Sequence, residues 1–165
     1  AAELRAAGWA EGARSLFVES FELAVLRELR ARGIRATYVY LVEADGAPFD
    51  LVAAHGAAAT PYRDQVSADG LARLADEVDG ISVDKAMLLG PALRGAELVA
   101  DAHAEGLAVF TWTCRPENAF LTPAFRRGGD DAAFGDYAAE WGVIRDAGLD
   151  GVFVDHADLG VAFFR

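Results

Sequence analysis

Four acidic residues each follow a valine at the end of a short apolar run: Glu19, Glu43, Asp84 and Asp155. If these runs are parallel strands, their carboxyl ends meet at one edge of the sheet, where α/β folds place their functional sites. Clustered carboxylates there would suit Mg²⁺ or Ca²⁺, which prefer oxygen ligands. The alternative is that Asp84 and Asp155 cap the following helices, because acids stabilise helix N-termini by typically about 0.3–1 kcal/mol.

Three further residues at these strand ends are candidates for contact with a small molecule. Trp112 ends an apolar run, and a flat aromatic ring at that edge can pack against an alcohol; otherwise it is a core residue. Ser20 and Phe21 follow the first run, and Ser20 is equally suited to be a helix N-cap.

The other reactive side chains favour structural roles over chemical ones. Lys85 is able to meet a phosphate oxygen as a point charge, although a solvated surface lysine is the commoner case. His55 and His156 are expected in loops, either exposed or as an acid or base. His103 lies near a helix-ending glycine, where imidazole commonly bonds to the last carbonyls. Cys114 lacks the basic surroundings that activate a thiolate.

The hydropathy pattern alternates between short apolar runs and amphipathic stretches, which predicts parallel strands joined by helices. Such nearly continuous apolar runs are typical of strands covered on both faces. The predicted strands are 15–20, 36–43, 80–84, 107–113 and 151–155. Helices are predicted over 23–32 and around 71–78, 98–102 and 137–144.

Two segments share the form Asp-Gly-apolar-X-Val-Asp, at 79–84 and 150–155. Each predicts a turn into a buried strand that ends on a carboxylate. The spacing between strand ends is longer after the second and fourth strands, and the surplus lies in 44–67 and 114–134. We expect both to be loops at the functional edge, where extra length is commonly functional.

The composition and charge limit the classes of protein to which this chain can belong. The 165 residues are 53% apolar and 25% charged, as in a globular domain with a hydrophobic core. Every apolar run is far shorter than the roughly 20 residues of a membrane span. The net charge of −11 disfavours nucleic acid as a partner. A single cysteine excludes an internal disulfide. The first residue is Ala1, which is compatible with processing or with a truncated chain.

Five motifs together resemble the carboxyl-terminal portion of the glycerophosphodiester phosphodiesterase family. In chain order they are Val18-Glu19-Ser20-Phe21, Asp79-Gly80-Ile81, Ala102-His103-Ala104-Glu105-Gly106-Leu107, Trp112-Thr113 and Asp150-Gly151-Val152-Phe153-Val154-Asp155. The resemblance covers nearly the whole chain, and the long segment before Tyr137 is similar to that of the bacterial branch. Glu19 replaces the family's usual Gln and Val154 its common Thr, changes that bear on substrate choice.

The resemblance implies an α/β fold of parallel (β/α) units, a partial TIM barrel corresponding to about strands four to eight. Residues 1–165 would be a single domain, the carboxyl-terminal part of the eight-stranded barrel. The chain would supply the pocket wall of the complete enzyme through Ser20, Phe21, Asp84, Trp112 and Asp155. No histidine here is followed by the family's Arg-Gly, so the catalytic histidines are expected in a missing amino-terminal part and the chain alone is expected to be inactive.

The reaction implied by the resemblance is hydrolysis of a glycerophosphodiester to glycerol 3-phosphate and an alcohol. A divalent cation, Ca²⁺ or Mg²⁺, would be required, with its ligands also outside this chain. Bacterial relatives with similar long loops are often exported, which favours the periplasm or the exterior, and the cytoplasm is also compatible. Two alternatives are a non-catalytic half-barrel that binds or assembles with a partner, and another barrel phosphodiesterase of phospholipase type.

Overall fold

The computed structural model describes residues 1–12, 15–90 and 95–165. Five strands alternate with helices along the chain. The strands are β1 (Phe17–Ser20), β2 (Thr37–Val42), β3 (Gly80–Asp84), β4 (Ala108–Cys114) and β5 (Gly151–Val154). Each coincides with a predicted strand to within two residues at either end, so the predicted strand pattern is confirmed.

Nine helices lie in the described part of the chain, and four of them match the predicted ones. Those four are α2 (Leu23–Ala31), α5 (Ala68–Ala75), α7 (Gly95–Ala104) and α8 (Tyr137–Asp146). The other five have no counterpart among the predicted helices: α1 (Ala2–Ala6), α3 (Phe49–His55), α4 (Tyr62–Gln65), α6 (Ala86–Leu89) and α9 (Ala157–Phe164). Within the described residues, every helix is too short or too polar to cross a bilayer.

All five strands are parallel, and their order in the sheet is their order in the chain. Sequential parallel order is the arrangement of a (β/α) barrel, and here it forms a half-barrel. Because every strand runs the same way, all carboxyl ends lie at one edge. This confirms the placement of the strand-end acids at a common edge.

One face of the sheet packs against the helices and forms the core. Its side chains alternate along each strand and meet across the register, as Tyr40 with Ile81 and Val83 with Thr111 do. The helices contribute fully buried apolar residues to the same cluster, including Leu26, Leu71, Val99, Trp141 and Ile144. Burying one such side chain contributes about 1.5–3 kcal/mol, so this face is the main source of stability.

The opposite face of the sheet, which we call the inner face, is covered incompletely. Val39 and Ser82 are fully buried there, whereas Phe17 is 53% and Phe153 39% exposed. The expectation that both faces of every strand are covered is therefore wrong for the outer strands β1 and β5. A large apolar surface of this kind normally marks a contact with other protein or with a ligand.

The Asp-Gly repeat fixes the amino-terminal edge of the sheet. A carboxylate oxygen of Asp79 accepts a hydrogen bond from the Tyr38 N–H at 2.7 Å, and Asp150 accepts one from Val109 N–H at 2.7 Å. Glycine follows because a Cβ on Gly80 would lie 2.7 Å from the carbonyl oxygen of the next strand. The repeat is therefore a device for joining adjacent strands, at the edge opposite the strand-end acids.

We expect Asp150→Ala to lower the free energy of unfolding by about 1–3 kcal/mol, because it leaves the Val109 N–H without its partner. Burial opposes ionisation of Asp150, but hydrogen bonds from Val109 and His103 outweigh it and lower its pKa. The carboxylate therefore contributes stability above its ordinary pKa of 3.8 and loses it as the pH falls further. Urea denaturation at several pH values measures both effects.

Asp146→Ala is the matched control for this variant. Asp146 is exposed and pairs with the neighbouring Arg145, so its removal is expected to change stability by no more than about 0.5 kcal/mol. Equal losses in the two variants, or a difference that persists unchanged to pH 2, would contradict this role for Asp150.

Candidate active site

The carboxyl-terminal edge of the sheet carries two long connections. The one after β2 contains α3 and α4, so the expectation that 44–67 is a loop is wrong in detail. The one after β4, which we call the β4 loop (residues 115–136), contains two short 3₁₀ turns, Asn118–Phe120 and Pro123–Phe125. Both connections lie at the predicted edge.

Trp112 occupies the centre of this edge on the inner face. Its indole N–H donates to the carbonyl oxygen of Ser82 at 3.0 Å, and its ring meets Phe21 edge to face with centroids 5.6 Å apart. Asp84 is its register partner on β3. The structure thus brings together Phe21, Asp84 and Trp112, three of the five predicted site residues.

A shallow depression of about 210 Å³ lies next to Trp112. It is lined by Asp84, Lys85, Trp112, Thr113, Arg115 and Phe120. An aromatic ring, a carboxylate and two cations around one opening can contact both the carbon skeleton and the polar groups of a small polar molecule.

Ser20 and Asp84 also bond to the backbone that follows their strands. The Ser20 hydroxyl accepts from the Glu22 N–H at 3.0 Å, and Asp84 accepts from the Ala86 N–H at 2.8 Å. Ser20 precedes the N-cap of α2, which is Glu22, and its register partner Tyr40 belongs to the helix-facing side. Asp84 lines the depression and Ser20 does not, so the role of Ser20 as a site residue stays a prediction.

Asp155 forms an ion pair with Arg115, which is not one of the predicted site residues. Its carboxylate lies 2.6 Å from Arg115 Nε, and the Arg115 guanidinium packs over the Phe120 ring at 4.3 Å from the ring centre. Arg115 closely follows Trp112 in the sequence, and that proximity was the available signal. Phe120 lies within the β4 loop, where no sequence pattern marks it.

Lys85 is held in an ion pair with the buried Glu140 of α8. Nζ lies 2.6 Å from one Glu140 oxygen, and the other oxygen accepts the Thr122 N–H at 2.7 Å. Glu140 is fully buried, so the expectation of a solvated lysine is wrong. The sequence did not reveal this pair because its partners are far apart in the chain. The pair joins the end of β3, α8 and the β4 loop.

The side chain of Asn118 holds the β4 loop together through hydrogen bonds within the loop. The Asn118 amide donates to the Arg127 and Asp130 carbonyls at 2.7 and 2.8 Å and accepts the Arg127 N–H at 2.8 Å. Asn118 is 2% exposed. The loop therefore has a defined shape although it contains little regular structure.

The histidines differ in position and partner. His156 Nε2 lies 2.7 Å from Glu117 in the β4 loop, so the expectation of an exposed histidine without a partner is wrong here. Burial opposes ionisation of Glu117, but the hydrogen bond and charge of His156, a backbone hydrogen bond and the charge of Arg115 together outweigh it and lower the pKa of Glu117. His103 contacts Asp150 at 2.9 Å at the opposite edge, instead of the last carbonyls of its helix. His55 ends α3 and is exposed.

Burial raises the pKa of two acidic groups in this region and so favours their neutral forms. It raises the pKa of the Cys114 thiol to about 12, so the thiol is protonated at neutral pH and is a poor nucleophile. Burial also raises the pKa of Glu19, whose side chain lies on the inner face.

The strand-end acids do not form a metal centre among residues 1–12, 15–90 and 95–165. No group of three His, Cys, Asp or Glu side chains in that part of the chain is placed to hold a metal ion. Asp155 pairs with Arg115 and Asp84 with a backbone N–H, so these donors are directed elsewhere. The residues described do not fit a cation site of their own.

We expect Lys85→Met to lower the free energy of unfolding by about 3–5 kcal/mol, because it leaves the charge of Glu140 buried without compensation. Lys85→Met combined with Glu140→Leu is expected to recover part of the loss. Urea denaturation measures both. Arg63→Met, which removes an exposed pair with Asp64, is the control and should change stability by no more than about 0.5 kcal/mol. Equal losses for Lys85→Met and Arg63→Met would contradict the role of the buried pair.

Comparison with solved structures supports the barrel relationship. The chain superimposes on a Silicibacter pomeroyi protein assigned as a glycerophosphoryl diester phosphodiesterase with a TM-score of 0.61 and 18% identity, covering 99% of this chain and 41% of that one. It superimposes on a Thermotoga maritima glycerophosphodiester phosphodiesterase with a TM-score of 0.56 and 17% identity, covering 98% and 52%. The predicted α/β partial TIM barrel is thereby confirmed, and the chain spans about half or less of each relative.

A comparison with curated protein sequences finds no match. The sequence model of the glycerophosphoryl diester phosphodiesterase family matches residues 2–159, which is nearly the whole chain. The match confirms the resemblance carried by the strand-end motifs. The chain belongs to the glycerophosphoryl diester phosphodiesterase family.

Proposed function

We propose that this chain forms the substrate-pocket wall of a phosphodiesterase that hydrolyses glycerophosphodiesters to glycerol 3-phosphate and an alcohol. The observation that carries the proposal is the contact of Phe21 with Trp112 beside Asp84, at the carboxyl-terminal edge of a half-barrel of this family. Ligands of (β/α) barrels bind at this edge.

Each predicted site residue has a part in the proposal. The indole of Trp112, fixed by the Ser82 carbonyl and by Phe21, packs against the carbon atoms of the glycerol. Asp84 accepts a hydrogen bond from a substrate hydroxyl. Ser20 sets the turn that presents Phe21, through its bond with the backbone two residues later. Asp155 acts through Arg115, with which it pairs.

The chemical step belongs to residues outside this chain. Water forms a new bond to phosphorus, the bond from phosphorus to the alcohol oxygen breaks, and a proton passes to the departing alcohol. A pair of histidines and a divalent cation, Ca²⁺ or Mg²⁺, are proposed to come from the preceding three strand-helix units of the barrel. Residues 1–165 are then the carboxyl-terminal part of one domain and are inactive alone.

The exposed inner face favours one other candidate, a non-catalytic half-barrel that assembles with a partner. Phe17 and Phe153 are the exposed aromatic residues of that face. In the main proposal the preceding strand-helix units cover it; in the alternative a separate protein does. The gene sequence before Ala1 separates the two, because the main proposal requires His-Arg-Gly and paired acids there.

The hydrolytic function is tested on the complete protein, comprising this chain and whatever its gene encodes before it. Glycerophosphocholine is the substrate, and enzyme-coupled detection of glycerol 3-phosphate is the measurement. We expect release that stops with EDTA and returns with Ca²⁺ or Mg²⁺, and no release from residues 1–165 alone. Absence of glycerol 3-phosphate under every metal condition would overturn the proposal.

In the complete protein, we expect Trp112→Ala to raise KM for glycerophosphocholine roughly tenfold, because the aromatic surface against the glycerol is lost. Its melting temperature should fall by less than about 4 °C, since the ring is only half-buried. Val143→Ala, which changes an exposed residue of α8 on the outside of the barrel, is the control and should leave KM unchanged. An unchanged KM beside a large fall in melting temperature would show that Trp112 is a core residue.

A further inference from the structure

Two cations line the depression beside Trp112, and they differ in how firmly they are held. The Lys85 side chain is 12% exposed and its partner Glu140 is fully buried. The Arg115 side chain is 34% exposed and its partner Asp155 is 48% exposed. Removing Lys85 from Glu140 would leave a buried charge, whereas an exposed ion pair is easily exchanged. Arg115 is therefore the cation that an incoming anion can engage.

We propose that Arg115 is a specificity-determining residue that binds the phosphate oxygens of the substrate and product, exchanging Asp155 for them. This inference rests on the proposed function, since it assigns the phosphate of a glycerophosphodiester to the opening beside Trp112. Arg115 would bind the ligand, and Asp155 would be a positioning residue that holds the guanidinium before the ligand arrives.

The surroundings of Arg115 suit this role. Phe120 packs against its guanidinium at 4.3 Å from the ring centre, which fixes the plane of the group. The guanidinium fork matches two phosphate oxygens, which a point charge such as Lys cannot do. Thr113 and Trp112 line the same depression, so the glycerol and the phosphate of one ligand can meet the indole and the guanidinium together.

The charge of the chain strengthens the inference. The net charge is −11, so most of the surface repels an anionic phosphodiester. Among the described residues that line the depression, Asp84 adds a negative charge and the charge of Lys85 is balanced by Glu140. The charge of Arg115 is balanced by Asp155 while the two are paired, so attraction of a phosphate to this opening depends on the release of Arg115 from Asp155.

The exchange of Asp155 for phosphate at Arg115 predicts a different result from direct binding of the substrate by Asp155. If Asp155 competes with the phosphate for Arg115, then Asp155→Asn removes the competitor and tightens phosphate binding. If Asp155 instead accepts a hydrogen bond from a substrate hydroxyl, the same variant weakens binding of glycerol and glycerol 3-phosphate alike.

The experiment titrates the complete protein, comprising this chain and whatever its gene encodes before it, with glycerol 3-phosphate and, separately, with glycerol, while NMR follows the Trp112 indole N–H and the Arg115 Nε–H. We expect glycerol 3-phosphate to shift both resonances and glycerol to shift that of Trp112 alone. Arg115→Gln should raise the Kd for glycerol 3-phosphate at least roughly tenfold and leave that for glycerol unchanged. Asp155→Asn should lower the Kd for glycerol 3-phosphate roughly threefold.

Two further variants complete the design. Arg115→Lys keeps the charge without the fork and should give an intermediate Kd. Arg127→Gln removes another cation of the β4 loop, one that pairs with Asp136, and should leave the Kd unchanged. Folding of each variant is checked by the dispersion of its NMR spectrum.

Wild-type affinity for glycerol 3-phosphate in Arg115→Gln would overturn the inference, and so would a Kd raised by Asp155→Asn or a wild type that shows no saturable shift. None of these results bears on hydrolysis, which the activity of the complete protein decides separately. Loss of that activity with Arg115 binding intact would overturn the proposed function alone.

Discussion

The carboxyl-terminal edge of this half-barrel depends on the buried ion pair between Lys85 and Glu140. One carboxylate joins the end of β3 to α8 through Lys85, and its second oxygen holds the Thr122 N–H of the β4 loop. Such a pair contributes little net stability compared with apolar packing, but it is costly to break from one side. It therefore holds the part of the loop that follows Phe120 against α8.

Acidic residues serve opposite purposes at the two edges of the sheet. At the amino-terminal edge, Asp79 and Asp150 accept backbone N–H groups of neighbouring strands and have basic partners on the helices. At the carboxyl-terminal edge, Asp84 and Asp155 stand beside the depression, one next to Trp112 and the other paired with Arg115. Asp79 and Asp150 complete the hydrogen bonding of the sheet. Asp84 and Asp155 instead lie beside an opening that a ligand can enter.

The part of the barrel that the chain spans bears on the proposed source of the catalytic groups. The chain spans 41% and 52% of the two solved structures, and the inner face of its outer strands is exposed. Apolar surface of this kind favours contact with the strand-helix units proposed to precede it. Those units are also the proposed source of the histidines and the cation, so closure of the barrel and completion of the site would be one event.

The sequence by itself determined the five strands, their parallel order and the edge at which the acids lie, because these follow from local hydropathy and from residues adjacent in the chain. The family motifs likewise pointed to Phe21 and Trp112. Only the tertiary structure decided the partners: Lys85 meets Glu140 55 residues away, and His156 meets Glu117 39 residues away. Such pairs depend on how distant segments of the chain pack together, and no local sequence pattern indicates which segments will meet. Arg115 closely follows Trp112 in the chain, but its ion pair with Asp155 joins distant segments and could not be predicted from the sequence.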